Sequence, residues 1–416
     1  MTCFHVMVRR AHHDMVFLQH HLMWKTFQFS TVEVRCRFDS LSDVFCMTFL
    51  LSAVAFFVLL TGLILIHECG HFFAAKSTKV DIEEFGFGLP PRALKLFRWQ
   101  GTLFSLNSIP FGGFVRLKGE GEMDEKRRMA LGSFCRASIC ARFLILVAGV
   151  GMNFILALVI FTIGFSVGQW VPTYTSLTGM EEAAKEGKIS MELSVLIDDV
   201  ISGGSAARAG LMPGAWLVSV DGHPVLHPED VVRAQEGRKS VTYTIQESEK
   251  SVEKKFSLPL VDGKTGVVLR SVPRNVSAPN HNIGDSLVLA LRESGVVTAQ
   301  TVMGIARLFG SLVHTGAVPE GITGIVGIAK LTHSSVQEGF MVYLRLVALL
   351  SLSLAVLNIL PFPALDGGRL FFVFYEVIRR RPPNRRWEMV TNTVGLSFLL
   401  LLILWVTFYD VLRLFI

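Results

Sequence analysis

In this chain of 416 residues, the sequence His67-Glu68-Cys69-Gly70-His71 offers side chains suited to hydrolysis, an HExxH pattern continuing a predicted helix. Residues i and i+4 share one helical face, so the imidazoles of His67 and His71 can grip one metal ion. Glu68 is turned from His67 by about 100° and can reach a water beside that ion rather than the ion itself. This is the metalloprotease arrangement. Cys69 faces away from the pair and is assigned to packing. A catalytic zinc takes three protein ligands and leaves one position open. The longer pattern HExxHxxGxxH, which would supply the third ligand nearby, is absent, because Ala74 and Ser77 stand at its next positions. The third ligand is expected from the run Asn358 to Gly368. There Pro361 and Pro363 break a helix, and Gly367 and Gly368 free the backbone around the carboxylate of Asp366. Glu83 and Glu84 are weaker candidates.

These groups need elements that bring them together. Only 18% of the residues are charged and 51% are hydrophobic, whereas soluble domains run at about 25% charged. The apolar residues are bunched into runs, and a membrane-spanning helix needs about 20 of them. Four spans are expected, at 48–66, 143–165, 341–360 and 394–408 with its flanks. Residues 76–142 carry 12 Lys/Arg against 7 Asp/Glu, and five arginines cluster at 379–386. Both loops are therefore placed on the cytoplasmic side. The segment 171–340 holds 15 Lys/Arg against 18 Asp/Glu and belongs on the opposite side. The first and third spans then both run inward, and Asp366 arrives at the depth of His67 and His71. The formal charge of +6 flanks the apolar runs instead of forming a basic face with interleaved aromatics, which excludes nucleic acid as a partner. Six cysteines without a CxxC exclude a structural zinc ribbon.

Residues 192–275 alternate short β-type runs with turn signals and read as a small β-rich module. The stretch 206–225 is similar to a PDZ domain, with a Pro-Gly turn at Pro213-Gly214 and an Asp-Gly hairpin at Asp221-Gly222. Such domains take extended peptides by strand addition at a sheet edge. Residues 286–313 are apolar but interrupted by Arg292, Glu293 and Arg307. They are read as an interfacial amphipathic helix. The alternative is a fifth span, which would reverse the third and separate the motifs. Residues 1–46 lack an apolar leader core and are read as an N-terminal extension, either disordered or upstream of a true start at Met47. The domain plan is thus 1–46, a first membrane part 47–170, the β-rich module 192–275, the interfacial helix 286–313 and a second membrane part 340–416.

HExxH in a first span, the Asn358–Gly368 run in a late one and a PDZ-like module between them resemble the site-2 protease family of intramembrane zinc metalloproteases, of the bacterial regulator-of-sigma-E type. The resemblance covers residue 47 to the C-terminus. It implies an α-helical polytopic membrane protein with an inserted PDZ domain, one zinc per chain on His67, His71 and Asp366, and Glu68 as the catalytic residue. It further implies that Gly112, Gly113 and Phe114 belong to a hairpin that presents the unwound substrate as an added strand. By the same resemblance Asn358, Pro361 and Pro363 handle substrate beside the metal. The family's AGPxxN appears as Ala148-Gly149-Val150-Gly151-Met152-Asn153, and its SGPxGI appears as residues 323–328; each lacks its proline. The implied partners are the lipid bilayer, a single-span protein substrate and a peptide or ectodomain at the PDZ module. The implied location is the cell inner membrane, with the PDZ domain on the extracytoplasmic side. Two rival readings are a membrane metal transporter and a non-catalytic PDZ scaffold. The first would need polar groups along a crossing path, and the second would be indifferent to Glu68.

Overall fold

The computed structural model describes residues 41–416 apart from 123, 248–250, 320, 382, 414 and 416. The reading of 1–46 lies outside the described residues, except that 41–46 begin the first helix. Two units are separate bodies of contact, residues 169–279 and, among the described residues, the membrane unit formed by 41–168 with 280–416.

The membrane unit opens with helix α1, Leu41–Ser77. Strands β1, Ile82–Trp99, and β2, Thr102–Leu117, follow as an antiparallel pair that folds back on itself. Residues 84–87 thereby lie between 103–106 on one side and 113–116 on the other, leaving 113–117 at a free edge. The short helix α2, Glu125–Arg128, leads to α3, Ile139–Val167, whose first turn is capped by Ser138 accepting from the Ala141 N–H.

Residues 169–279 form the other unit. Its elements are α4 (Leu177–Lys185), β3 (Ser190–Val200), α5 (Ser205–Arg208), β4 (Trp216–Val220), β5 (His223–Pro224), α6 (Pro228–Gln235), β6 (Ser240–Gln246), β7 (Lys254–Pro259) and β8 (Val267–Ser277). The sheet order is β7-β6-β4-β3-β8 with β5 on β4, so β7 and β8 are its edges. Alternating residues such as Val195, Leu217, Tyr243 and Ile245 point into one fully buried core.

The chain returns to the membrane unit through α7 (Ile283–His314), α8 (Ile325–Glu338), α9 (Phe340–Ile359), α10 (Asp366–Arg379) and α11 (Arg385–Leu412). Five helices are long and apolar enough to cross a membrane: α1, α3, α7, α9 and α11. The fifth beyond the expected four is α7, which contains 286–313. Its Glu293 is buried and meets Arg345 of α9 at 3.4 Å, so this one of the three interrupting charges faces a neighbouring helix, while Arg292 and Arg307 are exposed. Thr301 of α7 and Ser353 of α9 are 3.5 Å apart, with the same sequence offset of 52 as the ion pair. The two helices therefore run side by side in the same sense. The reversal expected of a fifth crossing does not follow, because α8 turns the chain back first. Its His333 bonds Ser52 at 2.8 Å, while its Leu331 packs with Leu59 and Leu63, so α8 runs against the direction of α1. Helices α1 and α9 share one direction: the hydroxyl of Tyr343, near the start of α9, donates to the Ala55 carbonyl, and further along α1 His67 meets Asp366, just beyond the end of α9.

Candidate metal centre

Helix α1 holds His67, Glu68 and His71 two turns before its end. The helix continues through them, and α3 approaches it closely at paired glycines. A Cβ on Gly70 would lie 2.3 Å from the Ala148 carbonyl oxygen, and one on Gly149 would lie 2.6 Å from His71 Nε2 and 2.8 Å from His67 Cε1. Small residues at this crossing let two backbones touch, as in other packed membrane helices. The two imidazoles consequently lie against the α3 backbone, 6% and 8% exposed.

Asp366 arrives from the other half of the unit. Helix α9 stops at Leu360, which is extended ahead of Pro361. The chain then doubles back so tightly that a Cβ on Gly367 would collide with the Leu360 carbonyl and one on Gly368 with that of Phe362. Ala364 takes a left-handed φ of 71°, and its N–H donates to Asn392 Oδ1 of α11 at 3.3 Å. Gly395 of α11 lets Pro363 sit against the helix, since a Cβ there would be 2.4 Å from the proline ring. Asp366 opens α10 from this turn.

Three donor atoms converge. His67 Nε2 is 2.9 Å from Asp366 Oδ2, His71 Nε2 is 3.2 Å from the same oxygen, and the two imidazole nitrogens are 3.1 Å apart. Ligands at zinc–donor distances near 2.0–2.1 Å on a tetrahedron stand about 3.3–3.4 Å from one another, so these atoms occupy three corners with little adjustment. Among the described residues they form the grouping able to hold a metal ion. The Nδ1–H of His71 donates to the Ile145 carbonyl of α3 at 2.8 Å, which leaves Nε2 as the lone-pair nitrogen facing the cluster. Donor set, spacing and tautomer all suit zinc.

Glu68 lies beside the donors. Its Oε2 accepts from the Val115 N–H at 2.9 Å, across the free edge of β2. A cleft of about 270 Å³ opens here, lined by the three donors, Glu68, Phe114 and Asn358 among others. Of the residues expected to meet substrate, Phe114 and Asn358 thus share the cleft with the donors. Gly112, with φ of 74°, rests on Ile64, and Gly113 fits between Leu65 and the Gly86 carbonyl, so both set the approach of β2 to α1. Pro361 is exposed and Pro363 packs on Gly395; both shape the turn and neither lines the cleft. Glu84 is tied elsewhere. Arg92 donates to it through Nε and Nη2, and Ser105 through its hydroxyl, and the arginine holds the carboxyl below its ordinary range. Glu83 and Glu84 are outside the donor cluster. The sequence reading does not single out Ile145, Val115, Asn392 or Gly395 as supports; Gly149 could have been found from its small-residue partner Gly70.

The model of peptidase family M50 matches residues 55–402. Three relatives carry the name "Putative zinc metalloprotease". One from Clostridium acetobutylicum is 30% identical over 356 residues, covering 84% of this chain and 94% of its own. One from Fusobacterium nucleatum is 27% identical over 372 residues, covering 89% of this chain and all of its own. One from Staphylococcus aureus is 25% identical over 456 residues, with the same two coverages. The family match runs from within α1 into α11 and takes in all three converging donors, and by it the chain belongs to peptidase family M50, that of the site-2 proteases.

Proposed function

We propose that this chain is an intramembrane zinc metalloendopeptidase which hydrolyses a peptide bond within the transmembrane segment of a single-span protein. The observation that carries the reading is the convergence of His67, His71 and Asp366 beside Glu68, in a cleft among apolar helices. One zinc per chain would be held by those three residues and would supply a Lewis acid that acidifies water and polarises the scissile carbonyl. Glu68 takes the proton of the attacking water on its carboxylate and passes it to the departing amine. The Val115 N–H fixes the Glu68 carboxylate in place while it does so.

A helical substrate hides its carbonyls in its own hydrogen bonds, and unpaired backbone is costly in an apolar medium. Apart from the Val115 N–H, which Glu68 holds, the edge at 113–117 offers replacement bonds beside the cleft, with Phe114 and Asn358 on the cleft walls. The unit 169–279 is read as a PDZ domain on the extracytoplasmic side of the cell inner membrane, taking an extended peptide or a trimmed ectodomain on an edge strand such as β8. The substrates of this reading are a pre-trimmed anti-sigma factor or a remnant signal peptide, and the process is regulated intramembrane proteolysis.

The test is cleavage of a reconstituted single-span substrate, with a zinc chelator, metal quantification and the Glu68→Gln variant. Zinc near one equivalent, loss of cleavage with chelator, and a metal-replete but inactive Glu68→Gln are expected. Turnover by Glu68→Gln would reject Glu68 as the base, and zinc-independent turnover would reject the whole mechanism.

A further inference from the structure

Each metal-binding imidazole has a second nitrogen whose proton needs an acceptor, and such outer partners fix the ring's tautomer and orientation. His71 has one in the Ile145 carbonyl. His67 has none among the described residues: its Nδ1 is buried without a partner. A second orphan lies on the helix packed against it. Asn153 of α3 is fully buried, and among the described residues both its side-chain oxygen and its side-chain nitrogen lack a partner. A buried polar group left unpaired has given up its hydrogen bonds to water without replacement, so two such orphans in one helix interface call for an explanation.

Their placement links them. The Cβ position of Gly149 is 2.8 Å from His67 Cε1, the ring carbon that lies between Nδ1 and Nε2. Asn153 follows Gly149 by four residues, so it is on the same face of α3 about one turn away, roughly 5–6 Å between Cβ positions. Helical side chains lean toward the N-terminus of their own helix, which tips the Asn153 amide back toward Gly149. Helix α3 runs against α1, with Ile145 at His71 and Leu156 beside Leu59 and Leu63. Asn153 therefore falls on the His67 side of the pair. The Ser351 hydroxyl donates to the Asn153 backbone carbonyl at 2.9 Å, anchoring this turn of α3 to α9 while leaving the amide uncommitted.

We infer that Asn153 is a positioning residue for the metal centre, its side-chain oxygen accepting the Nδ1 proton of His67 either directly or through one bridging water. Such a water would have three polar partners in His67 Nδ1 and the two amide atoms, as buried waters require. The role fixes Nε2 of His67 as the nitrogen facing the other donors, as Ile145 does for His71. The inference rests on the proposed zinc site.

The experiment measures zinc affinity of the full-length protein in detergent, by competition with a chromophoric chelator, for wild type, Asn153→Leu and Asn153→Asp. Leu keeps the volume and removes the acceptor, whereas Asp keeps the acceptor. Expected is a 10- to 100-fold loss for Asn153→Leu, the range for lost outer support, and recovery to within about threefold of wild type for Asn153→Asp. Equal affinity of wild type and Asn153→Leu would overturn the inference, as would equal losses in both variants, which would signal packing alone. Wild type that binds no zinc would instead overturn the proposed function. If Asn153→Leu does not fold, Asn153→Ala supplies the acceptor-free arm.

Discussion

His67 Nε2 and Asp366 Oδ2 stand 2.9 Å apart although 299 positions separate the two residues. That meeting depends on α1 and α9 sharing a direction, on α8 turning the chain back ahead of α9, and on a turn at residues 361–368 tight enough to exclude side chains at two glycines.

Gly149→Ala places a methyl group 2.6 Å from His71 Nε2 and 2.8 Å from His67 Cε1. The rings must rotate or α3 must retreat, and either misaims the donors. A zinc affinity weaker by about 10- to 100-fold is expected, read by chelator competition. Unchanged affinity would mean that the imidazoles do not rest on α3.

Gly395→Ala acts on the opposite wall. Its methyl would fall 2.4 Å from the Pro363 ring, pushing the turn that carries Asp366 away from α11. Overpacking of this kind costs about 1–3 kcal/mol. A lower unfolding temperature together with weaker zinc binding is expected, whereas Gly304→Ala, where a Cβ meets nothing within 4 Å, serves as control.

Zinc should raise the unfolding temperature of wild type in a concentration-dependent way. A ligand that binds only the folded state adds about 2.7 kcal/mol at 100 times its dissociation constant. Asp366→Ala, which removes one of the three donors, should flatten that dependence. An equal thermal shift in wild type and variant would place zinc elsewhere.

Arg142, at the start of α3, donates to both carboxylate oxygens of Glu376 on α10 at 2.8 Å, and both side chains are largely covered. The arginine holds the Glu376 carboxyl below its ordinary range. A depressed folded value means the pair stabilises fully above the unfolded carboxyl pKa, about 4.3, and loses that contribution as pH falls through the folded value. Glu376→Gln should destabilise by about 1–3 kcal/mol at neutral pH. The gap to wild type should close on acidification, as followed by unfolding in detergent across pH 3–7, taken as a rough working range. A gap that persists at the acid end would show that the ion pair is not its source.

The pairing of His67 with His71 was legible in the chain because a helix of fixed pitch puts i and i+4 together whatever surrounds it. The apolar runs of α1, α3, α9 and α11 were legible for a similar reason, since a bilayer demands a minimum length of continuous apolar surface. The packing of α7 was not, because Glu293 reads as a solvent-facing charge along the sequence, while in three dimensions it is buried against Arg345 of another helix. Likewise nothing local marks the Val115 N–H as the partner of Glu68, or Asn392 as a support for Ala364.

Sequence by itself determined which residues carry chemistry, that His67 and His71 share a face, and that the chain is built of long apolar helices around a β-rich insertion. Only the tertiary structure decided that Asp366, rather than Glu83 or Glu84, meets the two imidazoles, that α3 comes close enough to cradle them, and that α7 and α8 together leave α9 pointing the right way. Helix pitch is a property of consecutive residues, whereas the relative depth and approach of two helices are set by the side chains between them, and those come from distant parts of the chain.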